Sequence, residues 1–148
     1  MFYAASEGIE EILVTLLERG AALDMQDQHG RTALMMAIKE GHPTCAKRLI
    51  SLGADVNTTD QRGNGPIHFA SVSNCIPIIN DLLEKEHLKV DKNNNGFYPH
   101  HMATDDAVRK VLQEKADQAL QTEQINSILR SNLNQLQQWT LKKLGKGE

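Results

Sequence analysis

The sequence predicts an all-α solenoid: paired antiparallel helices stacked unit on unit, joined by hairpin-like turn tips, with one further helix at the C-terminal end. Three observations predict it. The run Gly30–Ala37, G-R-T-A-L-M-M-A, returns as G-N-G-P-I-H-F-A at Gly63–Ala70 and as G-F-Y-P-H-H-M-A at Gly96–Ala103. Each step is 33 residues, and one fixed period of about 20–50 residues is the mark of a single supersecondary unit stacked on its own copies. Aromatics are scarce, with three Phe, two Tyr and one Trp, which suits a Leu, Ile, Val and Ala core between helices better than a β-sandwich or a deep aromatic-lined pocket.

The chain opens inside a unit. Met1–Gly30 aligns with Leu34–Gly63 by the same shift, placing Ala4 on Ala37, Gly8 on Gly41, Leu16 and Leu17 on Leu49 and Ile50, and Gly20-Ala21 on Gly53-Ala54. The hairpin and first helical turn of that unit are missing, and Phe2-Tyr3 makes a poor polar outer cap. A fragment cut from a longer array is therefore favoured over a shortened natural start. In the second unit Ala33, Leu34, Ala37 and Ile38 recur at helical spacing after Thr32, whose side chain suits a helix N-cap. Gly41 breaks this short first helix, and Pro43 opens the second in the position proline tolerates best. Cys45, Ala46, Leu49, Ile50 and Leu52 form its expected buried face, and Gly53 ends it as Gly20 does one unit earlier. The polar run Asp55–Gly63 leads to the next unit.

In the third unit Ile67, Ile78, Ile79, Leu82 and Leu83 keep the core pattern, but Glu86 replaces the helix-closing Gly. One residue is inserted there and one lost before Gly96, which predicts a longer second helix or an irregular turn over 84–91. Asn93-Asn94-Asn95-Gly96 is a strong turn signal for the last tip. In the last unit Tyr98 stands at the helix-starting Thr and His100 at a buried Leu position, so Tyr98–Ala103 reads as a capping unit with one wet face. After Thr104-Asp105-Asp106, a link fit to cap a helix, Ala107, Val108, Val111 and Leu112 give the closing helix, and the array ends near residue 116. From Ala116 the composition shifts to Gln and Asn. Ile125, Leu129, Leu133, Leu136 and Thr140 follow at spacings of four, four, three and four, one stripe down a helix. Such a helix packs back on the array, pairs with a second copy as a short coiled coil, or frays.

The three motif copies and their flanking Gly and Leu positions resemble ankyrin repeats over about residues 1–116, in units 1–29, 30–62, 63–95 and 96–116, with 117–148 a helical extension ending in a polar tail. The resemblance implies an ankyrin-repeat solenoid that serves as a binding scaffold. It also implies that His68 makes structural hydrogen bonds between adjacent turns, weakened where Met35 replaces that His and where Gly65 replaces the motif's Thr. In the family, partners are gripped on the concave side by hairpin-tip residues and by the exposed face of the first helix. Carried onto this chain, these are Gln28, His29, Arg31, Lys39 and Glu40, then Gln61, Arg62, Asn64, Val72 and Ser73, then Asn94, Asn95 and Phe97. Arg31 and Arg62 lie near equivalent tips and Phe97 puts an apolar ring at a tip, the residue types that anchor interfaces.

Other classes fit the residues less well. The formal net charge is -3 with Lys and Arg scattered, so no footprint for nucleic acid or an anionic membrane is present. No run approaches the roughly 18 apolar residues of a membrane span, and no signal peptide is legible at the N-terminus. The expected location is cytoplasmic, with the nucleus as the alternative. Cys45 and Cys75 read as reduced, partly buried thiols, and Asn57-Thr58-Thr59 as an idle glycosylation pattern. His100 and His101 are neighbours, which on a helix point about 100° apart and do not converge on one metal. No nucleophile or carboxylate pair is placed for catalysis, since Asp24, Asp27, Asp55 and Asp60 fall at turn positions where Asp stabilises the backbone. No catalytic residue, metal or cofactor is expected. The expected function is a non-catalytic scaffold for a partner protein. The alternatives are an assembly element that homodimerises through Ile125, Leu129, Leu133 and Leu136 of the C-terminal helix, or a regulatory fragment of a larger enzyme or channel.

Overall fold

The computed structural model of the chain describes residues 1–146, without the side chain of Lys146; Gly147 and Glu148 of the polar tail lie outside the described residues. Eight helices follow in order among the described residues: α1 (Phe2–Glu7), α2 (Glu10–Glu18), α3 (Ala33–Lys39), α4 (Pro43–Ser51), α5 (Pro66–Val72), α6 (Ile76–Leu83), α7 (Pro99–Met102) and α8 (Asp106–Lys146). No strand occurs among the described residues. The first helices stack as α1, α3, α5, α7 and the second helices as α2, α4, α6. The chain divides into two compact units between Gln113 and Glu114.

Local chemistry sets the helix starts. The Met35 N–H donates to Thr32 Oγ1 at 3.3 Å, so Thr32 caps α3 as its position predicts. Pro43 sits in the first turn of α4 and Pro66 in that of α5, where a missing N–H costs nothing. The Asp105 carboxylate receives the Ala107 and Val108 N–H groups at 2.8 and 3.2 Å and caps α8. Ala33, Leu34, Ala37 and Ile38 of α3 are buried against Cys45, Ala46, Leu49 and Ile50 of α4, and Ile67, Ile78, Ile79 and Leu82 continue the same core. Val108 and Leu112 close it, while Ala107 and Val111 stay exposed.

Leu52 departs from the expected buried face and is 45% exposed. The helix stops at Ser51, and Ala54 N–H returns to the Leu49 carbonyl at 3.0 Å while the chain turns through Gly53 at φ 93°. Position 52 has therefore left the helical stripe that the spacing extends through it. In the third unit α6 is no longer than its predecessor, and the inserted residue is taken up by an irregular turn after Leu83. Asn57 accommodates the shift. One unit earlier Asp24 Oδ1 accepts the Asp55 N–H at 2.8 Å, whereas Asn57 Oδ1 accepts the Lys89 N–H at 2.8 Å and its amide donates to the His87 carbonyl at 2.8 Å. The amide thus holds both sides of the lengthened turn, which a carboxylate, having no donor, does not do.

In the second unit α8 continues, and every residue from Asp117 to Gly145 is exposed. No helix among the described residues is long and apolar enough to cross a membrane.

Candidate functional site

The tips are built by one carboxylate or amide each, repeated at the 33-residue period. Asp27 Oδ1 accepts the backbone N–H of His29 and Arg31 at 2.9 and 2.8 Å; Asp60 does the same for Arg62 and Asn64, both at 2.9 Å; Asn93 for Asn95 and Phe97, at 3.0 and 2.9 Å. A short polar side chain satisfying two backbone donors in this way is what fixes the tight turn. Burial raises the Asp27 carboxyl, but the hydrogen bonds from the Arg31 and His29 N–H groups and the Arg31 guanidinium at 3.0 Å outweigh it and hold the carboxyl below its usual range.

Successive tips interlock. Gln61 N–H donates to the His29 carbonyl at 3.0 Å, and Asn94 N–H donates to the Arg62 carbonyl at 2.9 Å. The side-chain amides of Gln61 and Asn94 add bonds to the Gln28 and Gln61 carbonyls at 2.8 and 2.9 Å. These two residues, expected on the partner-facing surface, therefore also hold the tips in register.

His68 is buried and ties two units together. Its Nδ1 accepts the Gly65 N–H at 3.1 Å and its Nε2–H donates to the Phe97 carbonyl at 3.2 Å. Where Met35 takes its place, the Thr32 N–H finds only a thioether sulfur at 3.4 Å, a weak acceptor. Burial pushes the His68 pKa down, and the Phe97 carbonyl and the charges of Asp60 and Asp91 offset it only in part. The unfolded chain takes up a proton there near 6.5, while the folded chain stays neutral to a lower pH. The His68 contribution to stability is thus complete above about pH 6.5 and is lost as pH falls from there towards the depressed folded value. Thermal unfolding from about pH 7.5 to 5.5 is expected to fall more steeply for the wild type than for His68→Gln. Equal slopes would place the titration elsewhere.

Two adjoining hollows lie along the tips and first helices. The first, of about 410 Å³, is lined by His29, Arg31, Lys39, Asp60, Gln61, Arg62, Asn64 and Phe69. The second, of about 510 Å³, shares Lys39, Asn64 and Phe69 and adds Glu40, Val72, Ser73 and Met102 among others. The hollows bring together His29, Arg31, Lys39, Glu40, Gln61, Arg62, Asn64, Val72 and Ser73 of the expected surface. Gln28 lies on a further hollow with Tyr3, Asp27, Arg31 and Met36. Asn94 lines a separate hollow with Thr59 and Gly63. Asn95 is exposed at the last tip, and Phe97 is 49% exposed with its ring edge-on to His101 at 6.3 Å between centroids, outside the two hollows.

Apart from Val72, the apolar lining of these hollows lies outside the surface expected from the sequence. Met36, Phe69 and Met102 stand 33 residues apart, all half-buried, and each lines a hollow. A large apolar side chain recurring beside the motif His at one register position is the signal that marks them.

The comparisons agree with this architecture. A family model described as ankyrin repeats, in three copies, matches residues 1–95. Ankyrin repeat domain-containing protein 63 of Mus musculus is 33% identical over 84 residues, 55% of this chain and 22% of that protein. The B-cell lymphoma 3 protein homolog of Mus musculus is 30% identical over 117 residues, 78% of this chain and 26% of that protein. A probable E3 ubiquitin-protein ligase, XBOS32, of Oryza sativa subsp. japonica is 27% identical over 139 residues, 81% of this chain and 26% of that protein. The chain spans about a quarter of the length of these relatives.

Proposed function

Because this chain belongs to the ankyrin-repeat family, we propose that its array is a non-catalytic module that grips a partner protein on the face made by the hairpin tips and first helices. The observation that carries this reading is the pair of adjoining hollows and the way their chemistry divides. The first gathers Arg31, Lys39, Arg62 and His29 around one carboxylate, Asp60, which is already engaged by two backbone N–H groups. The second has an apolar floor of Phe69, Val72 and Met102. A partner segment carrying an acidic side chain next to an apolar one fits both: the cations recognise the carboxylate, and the floor takes the apolar group out of water.

Arg62 and Lys39 make the cleaner test, since Arg31 is also tied to Asp27 through Nε at 3.0 Å. An acidic-apolar peptide selected from a display library on the full chain is expected to bind Arg62→Ala with Lys39→Ala at least tenfold more weakly, about 1.4 kcal/mol. The same double variant is expected to unfold within about 1 kcal/mol of wild type, because both side chains are exposed. Unchanged affinity in a folded double variant would remove the basic hollow from the binding surface.

A further inference from the structure

The exposed length of α8 carries a pattern that matches its own copy. On a helix of about 100° per residue, Ile125, Leu129, Leu133 and Leu136 fall within an arc of about 80°, with Ile128 and Trp139 along one edge. All six are more than half exposed. A helix gains little from such an arc until the arc is covered. Between Glu123 and Lys142 the sole ionic residue is Arg130, the rest being Gln, Asn, Ser, Thr and apolar. The charges gather at the two ends: Glu114, Asp117 and Glu123 with Lys115 before the stripe, Lys142 and Lys143 after it.

We propose that this helix pairs antiparallel with the same helix of a second copy, the apolar arc inside and the acidic end of each helix beside the basic end of the other. Charge complementarity selects both the occupant and the direction. A parallel pair sets Lys142, Lys143 and Asp117 each against its own copy; the antiparallel pair about Arg130 sets Asp117 beside Lys143, with Glu123 beside Gln137 and only Arg130 still facing its copy, and opposes the helix dipoles. The two patterns also share a centre. The midpoint between Asp117 and Lys143 is Arg130, and the middle of Ile125–Leu136 falls at Arg130–Ser131. One two-fold axis there aligns stripe on stripe and acid on base together.

The test uses the full chain. Sedimentation equilibrium over a hundredfold range reaching about 100 μM is expected to show a monomer–dimer equilibrium, and Leu129→Asp with Leu133→Asp to shift it to monomer. The array's thermal transition serves as the control for folding. Trp139, the sole Trp, is expected to shift its emission to the blue on association, without the array contributing. Direction is read from spin labels in a background with Cys45→Ala and Cys75→Ser. In the antiparallel dimer a label at Asn132→Cys gives an intermolecular distance under about 20 Å and one at Gln121→Cys about 30 Å, from 1.5 Å of rise per residue. Short distances at both positions mean a parallel pair and overturn the proposal. A monomer at every concentration overturns it too, whether Trp139 is shielded, the arc then being covered within its own chain, or solvated.

Discussion

Leu49→Ala is expected to cost about 2–5 kcal/mol of folding stability, read as a lowered denaturant midpoint at unchanged slope. Leu49 is 0% exposed on α4, in the middle of the second-helix layer formed by α2, α4 and α6. Its loss removes transfer energy and leaves a cavity that the short flanking helices fill poorly. In a stacked array each unit leans on its neighbours, so the defect weakens the interfaces on both sides of α4. Against a typical total of about 5–15 kcal/mol this is a large fraction. A cost under about 1 kcal/mol would show that α4 does not bury this face.

The tips provide the second large effect, and a control within the same chain. Gly63 and Gly96 occupy equivalent positions with φ of 76° and 82°. An alanine at either pays the left-handed backbone cost of about 1–2 kcal/mol. At Gly96 a Cβ meets nothing within 4 Å. At Gly63 it comes to 2.9 Å from the Asn94 backbone nitrogen and 2.5 Å from its Oδ1. Relieving that approach pushes the next tip outward and breaks the Asn94 bonds to the Arg62 and Gln61 carbonyls. Gly63→Ala is therefore expected to cost about 3–4 kcal/mol against about 1–2 for Gly96→Ala, measured as paired unfolding midpoints. Equal costs would mean that the tips do not touch as closely as these distances require.

The repeat made most of this fold legible. A shift of 33 residues superposes the tip glycines Gly30, Gly63 and Gly96 and the buried Leu and Ile positions of successive helices, because each copy solves the same packing problem. Positional logic misled where an element ended early: Leu52 continues the apolar spacing, but α4 stops at Ser51. The insertion near Glu86 was readable as either a longer helix or an irregular turn, whereas the accommodation of the turn by Asn57 depends on a neighbour 30 residues away that no local pattern announces. On the candidate surface, the ankyrin resemblance pointed to Arg31, Lys39 and Arg62 by their positions at the tips and on the first helix. Met36, Phe69 and Met102 escaped because an apolar residue on a first helix reads as core until the stacked tips leave a hollow above it. The stripe on α8 was plain from spacing, while the ordering of its charges about a centre only gains meaning once Asp117 to Gly145 is one continuous exposed stretch of helix.

Backbone amide chemical shifts test whether the proposed tip-and-first-helix face binds the partner. On titrating the selected acidic-apolar peptide into the full chain, the largest perturbations are expected at His29, Arg31, Lys39, Arg62, Phe69 and Val72. Perturbations centred instead on the exposed residues of α4 and α6, such as Lys47, Arg48 and Asn80, with the tips unmoved, would contradict it.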